Sequence, residues 1–327
     1  MTRTSARRWV LIAAAAVLIG VAAYGSSPWV WFSPDDRREM PVVFATGSPG
    51  GVDYAYGQAL AAAVSGELGP AYGLATAGAV ENLELLGRGR VTFAFATADT
   101  VEAYSSQTPP TGATSVRAVA RLYDNYTHLI VQAELPVHTV ADLRGMRVSV
   151  GSPGSDTAFV ADRILRAAGL DPRGDLQRVD LSLTDAVSAM RDRRIDAFFL
   201  SGGLATPEVL DLAGQAAIRL TDLADIAATL RSTYGSYYQT GTVPAGTYQG
   251  MTGSITTLVV PNLLLTAEGT PDPVVERMTG VLFASATRIA DSIPAVGQID
   301  RHAAIFTGAI PLHDGARAYY RSTKVAR

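Results

Sequence analysis

The sequence contains no cysteine and a single lysine, and both features narrow the functions open to it. Without cysteine the chain forms no disulfide, no thiolate nucleophile and no thiolate metal site, and it cannot carry a lipid on an N-terminal cysteine. Lys324 is the one lysine, so nearly all positive charge comes from arginine. The four histidines do not occur at metal-ligand spacing, which argues against a zinc site.

Charge is also scarce, because only 17% of the 327 residues are charged and the formal net charge is -3. No basic patch dominates, which argues against nucleic acid as a partner. The sequence lacks a Gly-x-Ser-x-Gly elbow, a His-Glu-x-x-His helix, a Walker loop and a Gly-x-Gly-x-x-Gly fingerprint. Catalysis is therefore poorly supported, we expect no cofactor or metal, and an extracytoplasmic enzyme is the disfavoured alternative.

The N-terminus carries the one long uncharged run, Trp9 to Gly25, preceded by Arg3, Arg7 and Arg8. As a helix it spans roughly 25 Å, short of the ~30 Å hydrocarbon core, and it ends in a small-x-small pattern typical of signal-peptide cleavage. Aromatic residues on both sides favour a retained membrane anchor instead. Either alternative places the rest of the chain outside the cytoplasm, with residues 1–40 as signal or anchor plus tether.

From residue 41 onward, short apolar runs alternate with helical patterns, which predicts an α/β fold built from parallel βαβ units. The βαβ series occurs twice, around residues 42–100 and 147–200. This repetition predicts two lobes with a hinge and a cleft between them. We assign residues 41–126 and 262–327 to lobe 1 and residues 127–261 to lobe 2.

Three loops that follow predicted strands share glycines or small hydroxyl residues: Thr46–Gly51, Thr97–Asp99 and Gly151–Thr157. Ligands of open α/β sheets bind beyond the carboxyl ends of the strands. The free amides at a helix start favour an anion, and glycine lets a ligand approach the backbone. The same residue types also cap helices without binding anything. We expect the three loops, with Ser48, Thr97 and Ser155, to converge on one small anionic ligand.

The order and spacing of several segments extend this pattern over most of the chain. The segments are Ala45–Gly51 with Tyr54, Gly78–Leu83, Phe93–Asp99, Thr139–Gly145, Arg147–Ser155, Ile195–Phe199, Val243–Tyr248 and Ile310–His313. On these segments the chain resembles the TAXI-type solute receptors of TRAP transporters, the tripartite ATP-independent periplasmic systems.

The resemblance implies a two-lobed receptor of the periplasmic-binding-protein fold, without catalytic activity. Such a receptor captures a small organic acid or amino acid outside the membrane and delivers it to the membrane permease of a TRAP system. Relatives are associated with glutamate, glutamine, 2-oxoglutarate and other dicarboxylates. The ligand-binding candidates carried over are Thr46, Ser48, Gly50, Gly51, Tyr54, Val80, Glu81, Thr97, Asp99, Ser152, Gly154, Ser155, Thr157, Ser201 and Gly202.

Two departures from the family pattern leave the ligand open. Ala98 stands where relatives usually have a polar residue, and Asp156 stands where glycine is commoner. The first change removes an amide partner, and the second is expected to place a negative charge at the pocket rim. An amino acid or a less charged acid is therefore as compatible as a dicarboxylate. A membrane-anchored sensor without its own permease is the alternative role for the same fold.

Overall fold

The computed structural model describes residues 41–107, 115–297 and 299–324. The predicted N-terminal helix and tether, residues 1–40, lie outside these described residues. Within the described ranges, no helix combines the length and apolar character needed to cross a membrane.

Strands and helices alternate along the described chain, as the sequence pattern predicts. The strands are β1 (Val42–Ala45), β2 (Ala71–Leu74), β3 (Phe93–Thr97), β4 (Val116–Gln132), β5 (Arg147–Ser149), β6 (Gln177–Val179), β7 (Ala197–Gly202), β8 (Ile218–Leu220), β9 (Gln239–Val243) and β10 (Ile255–Ala267). The helices are α1 (Val52–Val64), α2 (Ala79–Gly87), α3 (Ala98–Gln107), α4 (Asp156–Ala167), α5 (Leu183–Arg191), α6 (Pro207–Gln215), α7 (Ala224–Tyr234), α8 (Asp272–Ser292) and α9 (Asp314–Lys324).

The strands pair in one sheet, in the order β2-β1-β3-β10-β4-β7-β5-β6, with β8 on β4 and β9 on β10. Pairing is parallel at the two ends of the sheet, among β2, β1 and β3 and among β7, β5 and β6. It is antiparallel in the centre, where β10 joins β3 to β4 and β4 joins β10 to β7. Two parallel α/β halves therefore share a central antiparallel pair.

Strand β4 is longer than its sequence pattern indicates. The hydrophobic runs predict two extended segments, 118–122 and 128–132, but the structure has one strand of 17 residues. The polar residues between the runs continue the ladder, because Asn125 and Thr127 pair with β10 and are buried. At ~3.3 Å per residue the strand spans roughly 55 Å, enough to pair with β10 at one end and β7 at the other.

The helices begin where local chemistry satisfies their free amides. Ser155 caps α4 by accepting a hydrogen bond from the Ala158 amide, and the predicted box of Thr139 and Asp142 begins a single 3-10 turn. Helix α4 buries Ala161, Ile164 and other apolar residues against the sheet. Complete burial of each large aliphatic side chain contributes about 1.5–3 kcal/mol. This packing holds α4 against the sheet, and its first turn is held in place with it.

Candidate ligand site

A cavity lies beside the loops at the strand ends and is lined from both halves of the sheet. It leaves about 80 Å³ in which the centre of a water molecule can move, so it suits a small solute. Seven of the predicted residues line it: Ser48, Gly51, Ser152, Ser155, Thr157, Ser201 and Gly202. The structure thus brings residues of the first and third predicted loops to one space.

Three helix starts meet at this cavity, because the N-cap residues Gly51, Gly78 and Ser155 all line it. The first two have no side chain to accept a helix amide. The Ser155 hydroxyl donates to the Ser152 carbonyl at 2.7 Å and accepts from the Ala158 amide at 3.1 Å. The helix starts therefore place partial positive charge along one side of the cavity.

The remaining predicted residues do not line the cavity: Thr46, Gly50, Tyr54, Val80, Glu81, Thr97, Asp99 and Gly154. The Thr46 hydroxyl instead donates to the Leu74 carbonyl at 2.8 Å, and Asp99 is buried and accepts from the Tyr238 hydroxyl at 2.7 Å. The Val80 amide donates to the Gly154 carbonyl at 3.2 Å, across the two halves. The expectation that Thr97 faces the cavity beside Ser48 and Ser155 is therefore wrong.

Thr97 lies behind Asp156, which does line the cavity. Its hydroxyl donates to Oδ1 of Asp156 at 2.7 Å, and its amide donates to the same oxygen at 3.4 Å. The predicted rim position of Asp156 is also wrong, because the side chain is buried with 8% of its surface exposed. Burial, then repulsion from Asp53, raises the pKa of Asp156 from 3.8 to about 7.

A second carboxyl group, Asp53 in the first turn of α1, lines the same cavity and is missing from the predicted set. Its Oδ1 accepts from the Tyr123 hydroxyl and, at 2.9 Å, from Nδ2 of Asn262. Burial raises the pKa of Asp53 to about 6, although both hydrogen bonds oppose the rise. The sequence does contain a signal for Asp53, because it is an acidic residue two positions after the glycine pair that ends the first loop.

Strand β4 supplies Tyr123 and Asn125 to the cavity lining, and Asn262 of β10 lies behind them. Asn262 donates to Oδ1 of Asn125 at 3.4 Å, and Asn125 donates to the Ser201 hydroxyl at 3.5 Å. The Ser201 amide donates to the Thr157 hydroxyl at 3.0 Å. A polar network therefore runs from Asp53 through the central strands to the second half of the sheet, and Phe199 with neighbouring leucines supplies an apolar wall.

Comparison with known proteins now identifies the family. The model of the NMT1-like family matches residues 44–323, and the chain belongs to that family. The fold is similar to that of a protein described as a periplasmic transporter, at 16% identity, covering 88% of this chain and 94% of that one, with a TM-score of 0.53. It is also similar to XAC2383 from Xanthomonas citri bound to ATP, at 16% identity over 87% and 96% of the chains, with a TM-score of 0.51.

A third structure, CAE31940 from Bordetella bronchiseptica RB50, shares 17% identity over 87% of this chain and 80% of that one, with a TM-score of 0.52. At these identities the likeness is one of fold. The predicted α/β fold, of the type found in periplasmic binding proteins, is confirmed.

Proposed function

We propose that the protein is an extracytoplasmic solute-binding receptor of the TAXI type that delivers its solute to a TRAP permease. One observation carries the proposal: a small cavity is lined by strand-end loops from two separate halves of one sheet. Membership of the NMT1-like family and the resemblance of the loop segments support it. The N-terminal run, as signal or anchor, agrees with a location outside the cytoplasm.

The mechanism we propose is closure of the two halves around the solute. Hydrogen bonds already join the two halves beside the cavity, from Val80 to Gly154 and from Thr97 to Asp156. A solute that touches both halves binds the closed form better and so shifts the population towards it. Among the described strands, β4 and β10 are the pair that joins the two halves, so we place the hinge on these strands, near residues 126–130 and 257–261.

We further propose that the site binds its solute without chemical turnover. The hydroxyl groups of the cavity are used in structural hydrogen bonds, with Ser155 capping α4 and Thr157 accepting the Ser201 amide. Among the described lining residues there is no histidine or lysine to activate a nucleophile. Oδ1 of Asp156 accepts from Thr97, and Oδ1 of Asp53 accepts from Asn262. These bonds fix the orientation of both carboxyl groups, which suits them to bind a solute.

The test is a solute screen followed by solution scattering on the purified full chain. A solute at a hundred times its dissociation constant should stabilise the protein by about 2.7 kcal/mol in thermal unfolding. The same solute should decrease the radius of gyration and emerge chemically unchanged. Stabilisation without compaction would reject the closure mechanism, and conversion of the solute would reject the receptor role in favour of an enzyme.

A further inference from the structure

The charged groups that line the cavity are all of one sign. Asp53 and Asp156 line it, and no arginine, lysine or histidine does so among the described residues. Each carboxyl uses one oxygen within the protein, because Oδ1 of Asp53 accepts from Asn262 and Oδ1 of Asp156 accepts from Thr97. No hydrogen bond from a described residue reaches Oδ2 of either aspartate. Two carboxylate oxygens are therefore left for a donor in the cavity.

A third acceptor lies directly behind them. The carboxamide of Asn262 is fully buried, and its Oδ1 has no hydrogen-bond partner among the described residues. Its Nδ2 donates to Asp53, Asn125 and the Tyr123 hydroxyl, three residues that line the cavity. A buried polar atom without a partner is rare and destabilising, so the network behind Asp53 has one more acceptor than the described donors satisfy.

We propose that the site recognises its solute through an ammonium group held between the carboxylates of Asp53 and Asp156, and that it selects amines over dicarboxylates. The proposal deepens the receptor function above and rests on it. A primary ammonium carries three donors and no acceptor, so it can donate to the Oδ2 atoms of Asp53 and Asp156 at once. Hydrogen bonds between charged partners are about twice as strong as neutral ones.

The surroundings of the two carboxyl groups favour a cation as well. Asp99 on α3 adds a further negative charge that repels Asp156, and the Tyr123 hydroxyl beside Asp53 is neutral because burial holds its pKa well above its ordinary value. Arg163 bonds to the Tyr238 hydroxyl at 3.0 Å and does not line the cavity. A dicarboxylate would bring like charge to this place, whereas an ammonium supplies the charge that is missing.

Proton release gives this proposal a signature that a purely structural role lacks. The pKa values of about 6 for Asp53 and about 7 for Asp156 mean that the empty site is partly protonated near pH 6.5. A bound ammonium favours the ionised carboxylates, so binding should release protons to the buffer. A bound dicarboxylate would favour the protonated forms, so binding should take protons up.

The experiment begins with a thermal-shift library on the full chain, followed by titration calorimetry with a matched four-carbon series. The series is 1,4-diaminobutane, 4-aminobutanoate and succinate, each titrated at pH 6.5 in two buffers of different ionisation enthalpy. We expect the library hits to carry an ammonium group, the tightest member of the series to be an amine, and its binding to release protons. Preference for succinate, or proton uptake by the preferred solute, would overturn the proposal.

Variants separate charge from structure. Asp53→Asn and Asp156→Asn keep the Oδ1 acceptors, and each should weaken amine binding by about 10–100-fold. Asp225→Asn is the matched control, because Asp225 is an exposed aspartate in the first turn of α7 and should leave binding unchanged. Unchanged amine affinity in both cavity variants would refute the ammonium site.

The library also separates the two proposals. Hits that lack an ammonium group, with cavity variants that still respond to them, would refute the ammonium site and leave the receptor function standing. A library without any hit would count against both.

Discussion

Replacing Asp156 by asparagine should stabilise the ligand-free protein at pH 8 and leave its stability nearly unchanged at pH 5. The carboxyl is buried, and its Oδ1 accepts from the Thr97 hydroxyl. Asparagine keeps that acceptor and nearly the same shape, so the substitution removes the titrating charge and little else. Most substitutions of buried polar residues destabilise, which makes the expected gain diagnostic of an uncompensated carboxylate.

The magnitude follows from the pKa of the folded protein. A pKa of about 7 against 3.8 means that the folded protein holds the Asp156 proton between these values while the unfolded chain has lost it. The stabilising effect of this proton is complete below about pH 4 and is lost as the pH rises through 7. At 1.36 kcal/mol per pKa unit, the loss by pH 8 is about 4 kcal/mol. The new amide group lacks a partner and costs about 1–3 kcal/mol, so a net gain of about 1–3 kcal/mol is expected.

Thermal unfolding of wild type and variant across pH 5–8 tests this expectation. A difference of about 2 kcal/mol should move Tm by about 3 °C in a chain of this size. Taking the difference between the two proteins cancels the titrating groups that do not interact with Asp156, and Asp225→Asn should give a flat difference. The reasoning is refuted if the difference in stability between Asp156→Asn and wild type is the same at pH 8 as at pH 5.

Two further predictions concern other buried contacts. Burial lowers the pKa of His128 to about 4, so about 3 kcal/mol of stability is lost as the pH falls from 6.5 to 4. His128→Gln keeps a hydrogen bond towards Tyr248 and should flatten that loss when the free energy of unfolding is measured in urea. An equally steep loss in the variant would contradict the prediction. A Cβ on Gly78 would lie 2.9 Å from Cα of Ser155, so Gly78→Ala should weaken solute binding at least tenfold by calorimetry, while Gly89→Ala, also at positive φ but with open space around it, should not.

The loops of the site were predictable because their chemistry is local. Glycine and small hydroxyl residues between a buried strand and a helix predict a helix start at the sheet edge, and Ser48, Gly51 and Ser155 lie there. The direction in which a given side chain points is not local. Thr46 turns its hydroxyl to the Leu74 carbonyl of the neighbouring strand. That bond depends on the pairing of β1 with β2, which the spacing of the loop residues does not encode.

The residues that were missed lie on the long central strands. Asn125 interrupts the hydrophobic pattern of β4, and Asn262 sits in the otherwise apolar run of β10, so periodicity assigns them no role. They meet because β4 and β10 pair antiparallel between residues more than a hundred positions apart. The depth of Asp156 escaped prediction for a related reason, since its burial depends on Thr97 from the other half of the sheet.

The buried carboxyl groups that lower the stability of the folded protein are the same groups that we propose select the solute. Above pH 7 the cavity holds negative charge that no basic side chain among the described lining residues balances. An ammonium that restores the ordinary pKa of Asp156 would recover about 4 kcal/mol of that cost, a shift of roughly a thousandfold in the ratio of closed to open forms. A dicarboxylate recovers nothing there, and a neutral solute recovers little. Because Asp156 bonds to Thr97 of the other half, bringing the halves together helps to bury its charge. Closure would then depend on the charge of the solute, since a cation relieves the penalty of that burial.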